Sequence, residues 1–292
     1  MPIDIIIQIL LGGILLGGLY ALVAFGLSLI YGVARILNIA HGTMLAITGV
    51  VASELYAATS WNPLLLMVAV VPPVFVFGYA FHAALLRPLA RRRKHEEIIG
   101  TVLITTGLLI IMSDVTGVVA GTAQRNIPLA GAVLAFGDVI VPLTQVWIFA
   151  GILVLTLALH LFLKRSWFGR AVRGVTQDGI GAAICGVNSA RAHAMTFAIG
   201  SGIVAVAGVL YAMTYPVDPY MGFSLTVKAF TIIIVGGIGN LAGALAAGIL
   251  LGVAESFTAF LWAPQWAPLI SVVVLLVILV VFPRGLAAWR TA

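Results

Sequence analysis

Charge is what this chain of 292 residues has least of: Asp, Glu, Lys and Arg together make up 8% of it. So little charge excludes a water-soluble surface. With 62% hydrophobic residues and a mean hydropathy of +1.20, the chain reads as an integral membrane protein. Its one cysteine, Cys185, excludes an intramolecular disulfide. Lysine occurs only at positions 94, 164 and 228, and none completes the G-x-x-x-x-G-K-[ST] pattern of a phosphate-binding loop. Also missing are H-E-x-x-H, a paired acidic motif and a nucleophile with a base nearby, so no catalytic or metal-binding residue is assigned.

What is present is a series of apolar runs of about twenty residues without period-two alternation, the signature of membrane helices and not of a barrel. They fall at 5–31, 39–58, 63–86, 98–120, 141–163 and 193–215, followed by a glycine-broken region at 226–262 and a last span at 268–283. The first run is too long for a signal-peptide core and reads as a retained span. The expectation is an all-α integral membrane protein, a polytopic bundle of about seven to nine spans with broken or re-entrant helices. It forms one transmembrane domain over 1–292.

Twelve of the fifteen basic residues lie in two loops and the tail: Arg87, Arg91, Arg92, Arg93 and Lys94; Lys164, Arg165, Arg170, Arg173 and Arg191; Arg284 and Arg290. By the positive-inside rule these face the cytoplasm, which puts the N-terminus and the 121–140 loop outside and the C-terminus inside. The 226–262 region must then enter and leave on one side, as two tilted helices or a re-entrant hairpin. Insertion and contact with membrane lipid account for the net charge of +6, so no nucleic-acid partner is implied.

Three stretches break the rules of the bilayer. In "IYGVARILNIAHG", Ile30 to Gly42, polar residues interrupt an apolar run. Asn38 and His41, with Gly42 at the bend, either line a wet translocation path or belong to a cytoplasmic turn in which His41 caps the next helix. In "GGIGN", Gly236, Gly237, Gly239 and Asn240 crowd too closely for a stable helix and suit a hairpin tip near the pathway. Pairs at intervals of four, Gly13 with Gly17, Gly239 with Gly243 and Gly248 with Gly252, suit close helix packing. The third stretch, 164–191, is basic and carries a short amphipathic core that is either a partner-docking helix or a plain connection. Of the remaining polar residues, His82 and His160 are expected to reach headgroup water, and Lys228 and Glu255 to flank the broken region on its outer side, paired with each other or with a partner.

Three ordered motifs carry a resemblance. "GLYALVAFGLSLIYGVARILNIAHG", "GRAVRGVTQDGIGAAICGVN" and "PYMGFSLTVKAFTIIIVGGIGNLAGALAAGILLGVAES" resemble the N-terminal motif, the cytoplasmic coupling segment and the C-terminal block of the LivH-like branched-chain amino acid ABC transporter permeases. Gly179 and Gly181 stand where that family commonly has a proline and a helix former. The resemblance implies a pore-forming permease of a bacterial inner-membrane importer, with a periplasmic N-terminus, that moves branched-chain or related amino acids. It implies a second homologous permease, two cytoplasmic ATPases that hold ATP and Mg, and a periplasmic substrate-binding protein, with no cofactor on this chain. Arg170, Arg173, Gln177, Asp178 and Gly186 match the segment that receives force from the ATPases. The rival is an ion-coupled secondary transporter, disfavoured by the lack of a visible inverted repeat and the scarcity of buried carboxylates.

Overall fold

The computed structural model describes residues 3–129, 131–137 and 139–281. Among them are eleven α-helices: α1 (Ile3–Ala34), α2 (His41–Thr59), α3 (Pro63–Phe81), α4 (Lys94–Ala120), α5 (Leu143–Arg165), α6 (Trp167–Gln177), α7 (Gly179–Ile184), α8 (Ser189–Ala212), α9 (Gly222–Gly236), α10 (Leu241–Leu261) and α11 (Ala267–Val281). One antiparallel hairpin, β1 (Val133–Phe136) with β2 (Val139–Pro142), precedes α5. Six helices are long and apolar enough to cross a membrane: α1, α3 with its continuation to Leu86, α4, α5, α8 and α10. Arg284 and Arg290, on which part of the expected orientation rests, lie outside the described residues.

The long central helix α1 buries every residue from Gly17 to Ile30. Gly13 and Gly17 suit this helix because a neighbouring backbone occupies the space of the missing side chains. A methyl group on Gly13 would sit 2.6 Å from Val253 Cα, and one on Gly17 would sit 2.5 Å from Ile249 Cα. Gly248 and Gly252 answer from α10, so these two interval-of-four pairs form one close seam between the helices, whereas Gly243 packs on Gly236 and Gly239 lies outside any helix. Pro72 and Pro73 are accommodated inside α3, which ends in a π-helical turn, His82–Leu86.

Two helices start where membrane helices ordinarily do not. After Ala34 the chain turns through Arg35, at φ 56°, and returns along the bundle without helical structure until His41. There the His41 ring nitrogen Nε2 lies 3.0 Å from the carbonyl oxygen of Val23, eleven residues and about 16 Å back along α1. The chain does the same after α8: residues 213–221 return past Gly49, which Val217 touches, and α9 begins where Gly222 abuts the backbone of Thr43. From this common point the helices diverge. α2 runs towards Arg125 and the C-terminal end of α8, while α9 runs towards Ser28 and Gly32 near the end of α1.

The pairs α1–α2 and α8–α9 therefore follow one path in opposite directions, an inverted repeat that the sequence did not make visible. With a shift of 180 positions, Asn38 answers Asp218, Gly42 answers Gly222 and Leu45 answers Leu225. So few matching positions are invisible in the sequence, because the repeat preserves the path of the backbone and little else. The broken region is likewise resolved. α9 and α10 form a hairpin that descends to the basic end of the bundle, its tip at 237–240, and returns.

Candidate translocation and coupling site

The junction of the two half-helices is built from backbone groups that lost their helical partners. Threonines replace those partners. Thr226 Oγ1 accepts from Gly42 N at 2.8 Å and lies 3.0 Å from Ile39 O; Thr105 Oγ1, from α4, lies 3.2 Å from Leu37 O. An interrupted helix inside a membrane requires such substitutes. Asn38 and His41 are fully buried here. The cap position of α2 is Ala40 and no side chain caps the helix, so the exposed turn with a His41 cap does not form. Both side-chain polar atoms of Asn38, Nδ1 of His41, Oγ1 of Thr43 and Oγ of Ser201 are buried without a hydrogen-bond partner among the described residues. Gly42 is held to glycine by Gly222 O and Thr226, which occupy the place a side chain would take.

At the basic end, Gly237 and Gly239 take φ of 87° and 79°, which only glycine adopts without strain. Gly239 N donates to Ser28 Oγ at 3.0 Å, tying the tip to α1. Asn240 accepts from Gly243 N at 3.0 Å and so starts α10, while Gly236 packs on Gly243 and Ala244.

The 164–191 stretch holds two short helices, not one, separated by Asp178 in an extended conformation. Ser166 caps α6, which buries Gly169, Ala171, Val172 and Val175. Asp178 caps α7 by accepting from Ile180 N at 3.0 Å. Gly186, at φ 82°, closes that helix and gives its N–H to Ala183 O. Arg170 donates to Arg165 O at 3.1 Å, and Arg173 donates to Leu163 O and Lys164 O. These guanidiniums fasten α6 to the end of α5, where they also suit the negative pole of that helix. What α7 offers outward is apolar: Ile180 is 78% exposed and Ile184 82%. One cavity of about 660 Å³ brings the tip and the 164–191 stretch together, lined by Ser28, Gly239 and Asn240 on one side and Lys164, Arg173 and Gln177 on the other.

Two placements differ from the sequence expectation. His82 is buried against His193 and Phe197 and does not reach headgroup water. Lys228 and Glu255 do pair, at 2.8 Å, but inside the bundle instead of on its outer side. Glu255 also accepts from Tyr20 Oη at 2.8 Å and from Ser271 Oγ at 2.5 Å, while Lys228 Nζ lies 2.7 Å from Tyr20 Oη. Four polar residues at separate points of apolar helices, Tyr20, Lys228, Glu255 and Ser271, were the available signal. A second pair missed in the sequence, Arg125 with Glu54 at 2.6 Å, pins the segment after α4 to α2. Among the described residues no cluster of three or more His, Cys, Asp or Glu could hold a metal ion.

Residues 9–280 match the family described as "Branched-chain amino acid transport system / permease component". The chain belongs to that family. It is 33% identical over 268 residues to the high-affinity branched-chain amino acid transport system permease protein BraD of Pseudomonas aeruginosa, covering 87% of this chain and 86% of that protein. It is 31% identical to the corresponding protein LivH of Escherichia coli, again over 87% and 86% of the two chains. A more distant relative is the probable branched-chain amino acid transport permease protein LivM of Methanocaldococcus jannaschii, 25% identical over 86% of this chain and 80% of that one. The fold matches a chain in the structure of PsaBC from Streptococcus pneumoniae in complex with Fab at a TM-score of 0.50, with 14% identity, 95% of this chain and 91% of that one covered. At that identity the likeness is one of fold. As a member of that family, the chain is a multi-pass membrane transport component and not an enzyme.

Proposed function

We propose that this permease is one half of the transmembrane pore of an ATP-binding-cassette importer for branched-chain or related amino acids. It works with a second, homologous permease, two cytoplasmic ATPases that hold ATP and Mg, and a periplasmic substrate-binding protein. Residues 1–292 act as one permease domain in the bacterial inner membrane, with 164–191 as the coupling segment, the N-terminus periplasmic and the C-terminus cytoplasmic. The observation that carries this reading is α7. A six-residue helix with two isoleucines at i, i+4 turned outward, standing among basic residues at one end of the bundle, is what a soluble partner grips. Gln177 lines the same cavity as the hairpin tip, so a push on α6 and α7 reaches Gly239 and Asn240 within one contiguous body.

Several further features support the reading. BraD and LivH are named as branched-chain amino acid permeases, and the likeness to LivM as well as LivH fits a partner of common descent. The sequence holds no phosphate loop, so ATP belongs to other chains. The inverted repeat is shared with secondary transporters and does not discriminate; the outward-facing α7 does. In this reading Asn38, His41 and Gly42 form the junction, and Gly236, Gly237, Gly239 and Asn240 the tip, of the elements that open and close the path.

The test is reconstitution into liposomes. Isoleucine uptake is expected only when the chain is combined with a second permease, two ATPases, the binding protein and ATP. Substrate uptake at normal rates by the purified chain alone would establish the secondary-carrier mechanism in its place.

A further inference from the structure

The network around Lys228 lies where a membrane protein does not ordinarily keep charge. Lys228 is eight residues before the end of α9, about 12 Å from the basic end; Glu255 is fourteen residues into α10 and Tyr20 fourteen before the end of α1, about 21 Å in each case. Against a hydrocarbon core of about 30 Å, that is its middle.

The two charges are unequally buried. The side chain of Glu255 is 3% exposed and both its oxygens are engaged, by Lys228 and Tyr20 on one and Ser271 on the other. The side chain of Lys228 is 12% exposed, and its ammonium uses two acceptors, Glu255 Oε2 and Tyr20 Oη, of the three that it can serve. α9 packs against α1, α2, α10 and α11 and touches α4, and leaves a partly open side on which Phe223, Ser224, Val227 and Lys228 lie within two turns. An ammonium and a hydroxyl one turn apart, halfway across the bilayer, are stable where they face water or protein and costly where they face lipid.

We infer that the open side of α9 borders the translocation path and that Lys228 meets the carboxylate of the passing amino acid there. This rests on the transport reading above and names a contact within it. The third N–H of Lys228 supplies a charge-assisted hydrogen bond to the carboxylate. Glu255 and Tyr20 hold the ammonium in place and keep its charge balanced when the path is empty. A lysine already paired in this way binds a further carboxylate weakly, and passage needs a contact strong enough to admit the substrate and weak enough to release it.

The chain has only three lysines, so the contact can be followed in the unaltered protein. The chain is labelled with 15N at lysine Nζ, assembled with unlabelled second permease, ATPases and binding protein, and the Lys228 signal is assigned by its loss in Lys228→Met. Isoleucine uptake by the unaltered complex is measured first, and its absence overturns the transport reading itself. Where uptake is present, isoleucine is expected to shift the Lys228 signal and isoleucinol, which lacks the carboxylate, to leave it unmoved. A signal that neither compound moves, or that both move alike, overturns the carboxylate contact and leaves the transport reading standing.

Variants give a second arm. Lys228→Met is expected to lower uptake per assembled complex at least about tenfold, and Lys228→Arg to stay within about threefold of the original. The swap Lys228→Glu with Glu255→Lys keeps an ion pair in the network; it is expected to restore the thermal midpoint without restoring uptake. Full uptake in the swap, or in Lys228→Met, shows a purely structural pair and overturns the assignment.

Discussion

Single residues at the junction of the half-helices decide whether the two can meet at all. Gly42 has Gly222 O and Thr226 in the place of a side chain, and all of these are buried backbone or junction atoms that cannot step aside. Gly42→Val is therefore expected to cost about 1–3 kcal/mol, the penalty of overpacking, read as a lower thermal midpoint and a lower yield of assembled complex. Gly12, in the same membrane but with nothing within 4 Å of the added methyl, is the control, and Gly12→Ala is expected to be neutral or stabilising by up to about 1 kcal/mol. His41 tests packing and pathway together. It is buried and its ring bonds to Val23 O, so His41→Ala removes a buried hydrogen bond and is expected to lower stability by about 1–3 kcal/mol. In the importer reading uptake per assembled complex falls as well. Normal uptake per complex in a less stable protein would remove His41 from the pathway.

At the scale of elements, α7 is too short to be stable by itself, since an isolated helix of two turns does not hold in water. It is kept by its ends: Asp178 caps the start and Gly186, at positive φ, closes the finish. This separates two kinds of lesion. Asp178→Ala removes a cap worth about 0.5–2 kcal/mol and loosens the element. Ile184→Asp leaves both caps and changes only the outward surface. Ile184→Asp is expected to abolish most of the ATP hydrolysis that loaded binding protein stimulates, with the thermal midpoint of the chain unchanged. Coupled hydrolysis at the original rate would show that α7 is a connector and not the docking knob. The sequence made the location of this element legible through its basic flanks and small core. It did not reveal that Arg170 and Arg173 turn back onto the end of α5, because a guanidinium that caps a helix and one that awaits a partner have the same sequence signature.

For the whole molecule, hydropathy made the spans legible and charge made their order readable, because both are imposed by the bilayer on every residue of a span. The extended returns at 35–40 and 213–221 were not, since their cost to the backbone is met from distant segments, by Thr105 and Thr226 for the first and by the backbone of Arg125 against Val217 for the second, a compensation with no local pattern. Nor was the depth of Lys228 and Glu255, which depends on α9 beginning halfway along the bundle. Orientation is the property of the whole chain still open to direct measurement. The basic residues Lys164, Arg170, Arg173 and Arg92 sit with the hairpin tip and α7 at one end of the bundle, while Glu54 and Arg125 mark the other. Lys and Arg near span ends are retained on the cytoplasmic side during insertion, and the excess at the first end is large. In a Cys185→Ser background, Arg92→Cys is expected to stay unlabelled by an impermeant thiol reagent in intact cells and to react once the membrane is opened. A cysteine at Trp61, between α2 and α3 at the other end and 43% exposed, is expected to react from outside. Labelling of Arg92→Cys in intact cells would invert the protein. α7 would then face the periplasm, where no ATPase could reach it, and the importer reading would fall together with the topology.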